Sequence, residues 1–314
     1  MMLILLLACS DDPADASGPQ PVDVRMSEED ISSGIGATDI VWYGADTIIE
    51  PYEDKMMCIF GTYTGPDIGM HSFDAWQGEN GHHFVLMGTT LDTQDFPDGM
   101  VVDCTGQNSF AMTDVDPLLL GTRSNLVTEM ELPLPDGMAA KLRQDQRYIL
   151  QSHYINTTDS PVRIRDLAVT QTMAEDQVQV WTAPMILNYD DMVIPVGESR
   201  TATFDCTIEN DLHLLYLQGH MHEWGTAFST DIVNGEELEN LYTVSPWDAS
   251  FRDLPPTNHY KEDELSLPAG TTLRTTCEWY NSADYELTFP NEMCDTVSMV
   301  YPSEVPIVCD GQMP

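Results

Sequence analysis

Short segments with strand-like residue content recur along the chain between turn signals, whereas long stretches with helical periodicity are hard to find. Two examples are the runs Tyr148–Tyr154 and Leu214–Leu217, which are rich in aromatic and aliphatic residues. Turn sequences at 135–137, 195–197 and 268–270, each with a Pro and a Gly, separate such runs at intervals typical of β-sandwiches. This pattern predicts an all-β protein.

Length and hydrophobic content limit the number of domains. With 314 residues, 42% of them hydrophobic, the chain is long enough for two ordinary domains or a single large one. The segment 172–176 separates two strand-rich halves of similar size, and no internal repeat relates them. We therefore predict two tandem antiparallel β-sandwich domains, at residues 36–173 and 174–314.

The first residues of the chain resemble a bacterial lipoprotein signal. A short apolar run ends in Leu6-Leu7-Ala8-Cys9, a processing box in which Cys9 would receive the lipid, so 1–9 is the expected signal and 10–35 a flexible tether. The run is too short to span a bilayer. The absence of basic residues before it suggests that the true start codon lies upstream. A plain signal peptide or a buried strand is the alternative.

With such a signal the protein is expected to be exported. It would be periplasmic, anchored to the outer membrane, or extracellular, and it would meet a membrane only through its lipid. The charge balance is strongly acidic, with 52 Asp and Glu against 12 Lys and Arg and a formal net charge of −40. A surface with this negative field repels phosphate backbones, so nucleic acid is not an expected partner. The charge favours solubility, with steering of a cationic substrate as the alternative.

Cysteine usage agrees with export. Apart from Cys9 the chain has six cysteines: Cys58, Cys104, Cys206, Cys277, Cys294 and Cys309. An even number in an exported chain predicts three disulfides, whose pairing the spacing leaves open. No Cys-x-x-Cys pair occurs, which disfavours a zinc ribbon or a thioredoxin-like redox motif.

Histidines carry the main chemical signal. Five of the eight fall into three motifs: His82-His83, Gln151-Ser152-His153-Tyr154 and His220-Met221-His222. Residues i and i+2 of a strand share a face, so His220 and His222 can chelate one metal ion. Adjacent His82 and His83 would point to opposite faces, so a shared metal there requires a bulge or a strand end. Taken singly, a histidine such as His153 is more often a hydrogen-bonded core or surface residue.

Imidazole alone does not select the metal, because copper, zinc, iron and nickel all accept it. A thioether ligand would favour Cu(I), but the chain has 18 methionines, which normally fill gaps in cores, and spacing singles out none of them. His71, His213 and His259 each stand alone in an apolar or turn context. We interpret these three as structural residues or as groups that support the ligands.

The ordered set of motifs resembles the copper type II, ascorbate-dependent monooxygenases, the family of peptidylglycine α-hydroxylating and dopamine β-monooxygenases. The family's His-His segment is matched by Gly81–Met87, its Leu-Gln-x-His-Tyr strand by Leu150–Tyr154, its His-x-His motif by Gly219–His222, and its Asp-Glu-Met-Cys by Asn291–Cys294. The order and the separations agree as well. The resemblance covers roughly residues 38–310.

The resemblance implies two jelly-roll-like β-sandwich domains with a cleft between them and one copper ion in each. The implied ligands are His82, His83 and His153 for the first copper, and His220, His222 and Met293 for the second. The second copper would bind O2 and direct attack on a C–H bond of a small organic substrate. The first would supply an electron, and ascorbate would reduce both. Gln151 stands two residues before His153, which places both on the same strand face, and it would organise water near the first site. The implied disulfides are Cys58–Cys104, Cys206–Cys309 and Cys277–Cys294.

The sequence departs from the peptidylglycine branch where that branch holds a peptide carboxylate. Gln218 replaces an Arg two residues before the His-x-His motif, and Asp295 and Val297 replace Asn and Tyr. A C-terminal glycine peptide is therefore not the expected substrate. Asp295 would suit a cationic or amine-bearing molecule, unless it is an exposed surface acid.

Two other functions fit parts of the pattern. A non-catalytic copper-binding or copper-delivery lipoprotein would keep both sites, and oxygen consumption coupled to ascorbate oxidation distinguishes it from an oxygenase. A β-sandwich adhesion or binding module with incidental histidines would bind no stoichiometric copper.

Overall fold

The computed structural model of the protein describes residues 20–31, 34–105, 115–119, 134–252, 255–289 and 291–311. Within these ranges the chain is built from strands and turns, and its helical segments are short 3₁₀ turns at Glu28–Asp30, Glu175–Gln177 and Ala249–Arg252. The predicted all-β class is confirmed. None of these described helical segments is long or apolar enough to cross a membrane.

Three larger sheets carry most of the strands. In order across the sheet, a five-stranded sheet of the N-terminal half contains β8 (Val101–Asp103), β4 (Asp54–Thr62), β11 (Arg147–Ile155), β7 (Gly81–Thr89) and β9 (Val115–Leu119). A four-stranded sheet of the C-terminal half contains β17 (Ser199–Thr207), β23 (Thr272–Tyr280), β19 (Gly225–Asn234) and β20 (Glu237–Val244). The largest sheet contains β14 (Thr172–Ala174), β5 (Ile68–Met70), β10 (Met138–Leu142), β15 (Val180–Asn188), β25 (Asp295–Tyr301), β18 (Leu212–His220) and β21 (Thr257–His259), with β22 (Ser266–Leu267) on β18 and β26 (Ile307–Asp310) on β15.

The remaining strands form small sheets at the margins of these three. They are β1 (Val22–Asp23), β12 (Val162–Ile164) and β3 (Thr47–Ile49); β2 (Ile40–Tyr43), β13 (Leu167–Thr170) and β6 (Asp74–Trp76); and β16 (Val193–Ile194) with β24 (Leu287–Thr288).

Strand β11 is central to the five-stranded sheet and is covered on both faces. Alternate residues of a strand point to opposite faces. Ile149 packs in a core beside the Cys58–Cys104 disulfide, whereas Leu150 packs in a second core with Trp42. Gln151 and His153 continue the face that Ile149 begins, so the candidate ligand lies on the side of the disulfide.

The largest sheet crosses the predicted domain boundary. Its strand β10, from the N-terminal half, pairs in parallel with β15 of the C-terminal half, and Met138 aligns with Val180. One apolar core joins residues of both halves, among them Trp42 and Leu142 with Tyr216 and Met299. The two halves therefore share a sheet and a core. Both faces of the shared sheet are apolar and are covered, one by each of two cores.

The C-terminal half contains a sandwich in which the four-stranded sheet packs on strands of the largest sheet. Its core contains Phe204, Phe228 and Trp279 from the smaller sheet and Leu214 and Leu217 from β18. Strand β18 ends at His220, so the sandwich fixes where the His-x-His motif leaves the sheet.

Part of the predicted tether is folded. Val22 pairs with Val162 in a parallel bridge, and Ile31 is buried against Leu167 and Val169. Ile31 gains from burial in a way that a polar residue would not, whereas Val22 is held by a backbone hydrogen bond to Pro161. Cys9 and the rest of 1–19 lie outside the described residues.

All three disulfides have the pairing that the family resemblance implied. The Cα atoms are 5.9 Å apart in Cys58–Cys104, 6.2 Å in Cys206–Cys309 and 6.0 Å in Cys277–Cys294. These separations lie within the range that a disulfide spans without moving the backbone. Three disulfides in one chain indicate a non-reducing, exported environment.

Candidate metal centres

A β-bulge brings the adjacent histidines of β7 together. In the pairing of β7 with β11, His83 aligns with His153 and Gly81 aligns with Tyr154, so His82 is one extra residue in the register of β7. A bulge of this kind places two neighbouring residues opposite one and redirects their side chains. A metal shared by His82 and His83 required a bulge or a strand end, and the structure has a bulge at this position.

The imidazoles of His82, His83 and His153, which we call the first histidine set, converge through their Nδ1 atoms. These atoms are separated by 3.0 Å between His82 and His153, 3.2 Å between His82 and His83, and 3.4 Å between His83 and His153. A circle through three points at these distances has a radius of about 1.9 Å, close to the roughly 2.0 Å of a bond between zinc and an imidazole nitrogen. The set is thus the right size for one transition-metal ion.

Two ring protons of the first histidine set are held on the outer nitrogens. His153 donates from Nε2 to Oδ1 of Asp54 at 2.6 Å, and His83 donates from Nε2 to Oε1 of Gln151 at 3.1 Å. A carboxylate and an amide oxygen can only accept, so the Nδ1 atoms of these rings carry lone pairs. A proton on His82 Nδ1 could satisfy one such neighbour at a time, whereas a metal ion satisfies all three nitrogens.

The environment favours the neutral form of two rings of the first set, His83 and His153. Burial lowers the pKa of His83 well below its ordinary value, and the imidazoles of His153 and His82 lower it further. Burial also lowers the pKa of His153, although Asp54 opposes this shift. Neutral imidazole is the form that binds metals. Among the described residues, this is the group of three His, Cys, Asp or Glu whose ligand atoms all lie within 4.8 Å of one another.

Gln151 connects the first set with a disulfide. Its Oε1 accepts from His83, and its Nε2 lies 3.9 Å from the Sγ atoms of both Cys58 and Cys104. Gln151 therefore supports a ligand ring, which adds to the role in organising water that the sequence suggested.

His220 and His222 lie at the end of β18 with their ring centroids 5.3 Å apart and nearly perpendicular. His222 donates from Nδ1 to the backbone oxygen of Asn291 at 2.9 Å, which leaves Nε2 for a ligand bond. Burial lowers the pKa of His222 to about 3, and His220 contributes to this shift. We call this pair, together with Met293, the second histidine set.

The carboxylate of Glu292 ties Met293 to His222. It accepts the backbone N–H of His222, that of Met293 at 3.0 Å, and that of Trp224 at 3.2 Å. Glu292 has no exposed surface, and burial raises its pKa to about 7 although these N–H groups oppose the shift. One buried side chain thus holds the Asn-Glu-Met-Cys segment against the His-x-His motif.

The two histidine sets lie within electrostatic reach of each other. Besides burial, the charge of His220 lowers the pKa of His83, and the charge of His82 lowers the pKa of His222. Arg252, which is ion-paired with Glu223 at 3.2 Å, contributes to the lowered pKa values in both sets, at His153 and at His222. The two sets therefore influence each other's pKa values, and Arg252 influences both.

Asp295 is not the exposed surface acid that one interpretation suggested. It aligns with His220 across β18 and β25, and its Oδ1 atom is buried without a hydrogen-bond partner. Burial, together with the charges of Asp190 and Asp310, raises the pKa of Asp295 to about 7. Gln218, in place of the family's Arg, accepts a hydrogen bond from Thr257 at 2.9 Å.

The three remaining histidines lie elsewhere in the structure. His71 donates from Nδ1 to the backbone oxygen of Met138 at 2.9 Å, His213 stacks on Tyr301, and His259 aligns with Tyr216. Sequence reasoning missed Asp54, which supports His153, because it is one of 52 acidic residues and no motif marks it. Glu292 stands inside a quoted motif, but its role became visible only from its three backbone contacts.

Neither family models nor curated proteins match this chain. A solved structure described as the crystal structure of PBCV-1 VP54 fitted into a cryo-EM reconstruction of the virophage Sputnik aligns over 88% of this chain and 96% of its own, with 8% identity and a TM-score of 0.24. At that score the likeness carries no argument about fold or function.

Proposed function

We propose that this protein is a copper-dependent monooxygenase that hydroxylates a C–H bond of a small organic substrate with O2 and a one-electron reductant such as ascorbate. The observation that carries the proposal is the triangle of Nδ1 atoms at 3.0–3.4 Å in the first histidine set. The histidines of the second set lie within electrostatic reach of this triangle and belong to the motif that the family uses for its second copper.

Hydroxylation of a C–H bond by O2 consumes two electrons and two protons besides the substrate and yields an alcohol and water. Two copper ions, when bound, would supply those electrons one at a time and hold O2. Asp54 and Gln151 orient the rings of the first set, and Asn291 and Glu292 orient the second set. The thioether of Met293 would favour reduced copper there.

The substrate is proposed to be a small, amine-bearing molecule. Asp295 aligns with His220 on the sheet and would pair with an ammonium group near the second histidine set. Its raised pKa of about 7 would fall beside a cation, because an opposite charge favours the carboxylate. The protein is further proposed to be a lipoprotein of the periplasm or the outer membrane, anchored through Cys9.

Metal analysis and oxygen uptake test the proposed function. Reduced wild-type protein is expected to bind two coppers per chain and to consume O2 in step with ascorbate oxidation and with hydroxylation of an amine from a phenethylamine and alkylamine panel. Met293→Ala is expected to bind one copper and lose oxygen uptake. Met173→Ala, which changes a half-buried methionine of β14, is the control and is expected to keep both coppers.

The other outcomes separate the alternatives. Two coppers without coupled turnover would favour the copper-binding or copper-delivery lipoprotein. Zinc in place of copper, or a full copper complement in Met293→Ala, would overturn the assignment. Labelling of the wild type but not of Cys9→Ser with a fatty-acid probe, in a bacterial host with the lipoprotein pathway, would support the lipid anchor.

A further inference from the structure

A buried amide and a buried carboxylate lie behind the first histidine set. Gln77 is in the loop between β6 and β7 and is 7% exposed, and Asp166 has no exposed surface. The Nε2 atom of Gln77 lies 3.0 Å from the backbone oxygen of His83 and 3.4 Å from that of His153. One side chain thus contacts the backbone of both strands at the bulge.

The contact of Gln77 with the oxygen of His83 supplies a hydrogen bond at a place where the bulge disrupts the backbone ladder. The register between β7 and β11 shifts between His153 and Tyr154, and such a shift disrupts the ladder of backbone hydrogen bonds. Buried backbone oxygens must find donors elsewhere. Gln77 donates to the oxygen of His83 at this interruption and so ties the bulged strand to a neighbouring loop.

Asp166 sets which way the Gln77 amide points. Its Oδ2 atom accepts from Nε2 of Gln77 at 3.0 Å, and its Oδ1 atom accepts from the hydroxyl of Tyr154. Tyr154 in turn accepts the backbone N–H of Gly78 at 3.0 Å. A carboxylate and a backbone oxygen can only accept, so both require the NH2 group of Gln77 rather than its oxygen.

The backbone leaves room for this arrangement. A Cβ atom at Gly81, the residue before His82, would lie 2.5 Å from Cβ of Gln77. A residue larger than glycine at the start of β7 would therefore displace Gln77. The contact depends on a glycine placed directly beside the first histidine set.

We infer that Gln77, oriented by Asp166, is a positioning residue that fixes the bulge and thereby the separations of the three Nδ1 atoms. This inference rests on the proposed metal binding at the first histidine set but not on oxygenase chemistry. The metal bond tolerates changes of only about 0.2 Å. A bulge that lost its tie to the loop would hold the imidazoles less closely to that geometry.

The test uses the full chain with His222→Ala, so that the first set dominates the copper signal. Cu(II) affinity is measured by competition with a chelator, and ligand geometry by electron paramagnetic resonance. Gln77→Leu is expected to weaken copper by about 10–100-fold, the usual effect of removing a group that supports a ligand, and to alter the copper hyperfine splitting. The electron paramagnetic resonance readout separates this role from a loss of stability.

Asn156→Leu is the matched control. Asn156 is also a buried amide of the N-terminal half that donates to backbone oxygens, at 3.0 Å to Glu50 and 2.9 Å to Ser160, and none of its hydrogen bonds reaches the histidines. It is expected to lower the melting temperature but to keep the affinity and the spectrum of the parent chain. Should Gln77→Leu not fold, Tyr154→Phe removes one donor to Asp166 and is expected to cause a smaller change in the same direction.

An unchanged affinity and spectrum in Gln77→Leu, or in Tyr154→Phe where that variant replaces it, would overturn the inference. An equal change in Asn156→Leu would overturn it as well, because any buried amide would then suffice. Failure of the His222→Ala parent itself to bind copper at the first set would refute the proposed function together with this inference. Copper binding by the His222→Ala parent therefore distinguishes a failure of the proposed function from a failure of this inference alone.

Discussion

Three buried threonine hydroxyls offer a sharp test of how the C-terminal sandwich is held together. Oγ1 of Thr296 lies 2.8 Å from that of Thr230 and 2.7 Å from that of Thr275, and none of the three residues has exposed surface. Thr296 belongs to β25 and the other two to the facing sheet. Because Thr296 aligns with Gly219, the cluster supports the strand that ends at His220.

The expected loss in the free energy of unfolding depends on which hydroxyls lose their hydrogen-bond partner. Thr→Val keeps the shape of the side chain and removes one hydroxyl. Thr296→Val leaves two buried hydroxyls unpaired, at about 1–3 kcal/mol each, so a loss of roughly 3 kcal/mol in the free energy of unfolding is expected. Thr230→Val removes one bond and leaves Thr296 paired with Thr275, so about 1 kcal/mol is expected. The triple Val variant leaves no hydroxyl of the cluster unpaired and is expected to lose less than Thr296→Val alone.

Equilibrium unfolding in urea, with the disulfides oxidised, measures these differences through tryptophan fluorescence. Trp279 is buried in the same core and should report the transition. The comparison requires an unchanged dependence on denaturant among the variants. If the triple variant were the least stable, or if Thr296→Val and Thr230→Val were equally destabilised, the hydroxyls would act independently and the reasoning would be refuted.

Three further predictions concern single side chains. Asp54→Ala is expected to weaken copper binding at the first histidine set by about 10–100-fold, measured by chelator competition. Arg147→Met removes a guanidinium that donates to three oxygen acceptors of the 91–98 loop, and a loss of about 2 kcal/mol in the free energy of unfolding is expected in urea. Burial raises the pKa of Asp166 to about 6 from 3.8, so the folded chain binds more protons than the unfolded chain between about pH 4 and 6, and ionisation of this group lowers stability as pH rises through that window. Asp166→Asn should therefore gain up to about 3 kcal/mol relative to wild type between pH 4 and pH 7, measured by urea unfolding at both values.

Each of these predictions has a result that contradicts it. Copper affinity in Asp54→Ala equal to that of the wild type would remove Asp54 from the metal centre. Arg200→Met, which breaks an exposed ion pair with Glu198, is the control for Arg147→Met and is expected to change stability by less than about 1 kcal/mol. A constant difference between Asp166→Asn and wild type across pH would show that Asp166 is not the group that titrates there.

Much of the fold and of the candidate ligand sets could be predicted from local patterns. Alternation along short runs such as Tyr148–Tyr154 predicted strands, because the two faces of a strand meet different surroundings. The same alternation placed Gln151 and His153 on one face, and the structure places both beside the first histidine set. The resemblance supplied the disulfide pairing, which spacing had left open. It also singled out Met293 among 18 methionines.

The supporting residues could not be predicted, because nothing in their local sequence marks them. Asp54 is 99 residues from His153, and Gln77 is 89 residues from Asp166. Each acts only because the register between distant strands brings it to a ligand ring or to the bulge. An acid or an amide looks the same in the sequence whether or not it has such a partner.

The sequence by itself determined the strand content, the export signature and which histidines and cysteines were candidates, because side-chain chemistry and a two-residue period are local properties. Only the tertiary structure decided that His82 bulges out of register, that the two halves share a sheet and a core, and that one carboxylate oxygen of Asp295 is buried. These outcomes depend on which surfaces are left to be covered once the strands pair. That is a property of the whole packed chain, and no segment of it carries the information alone.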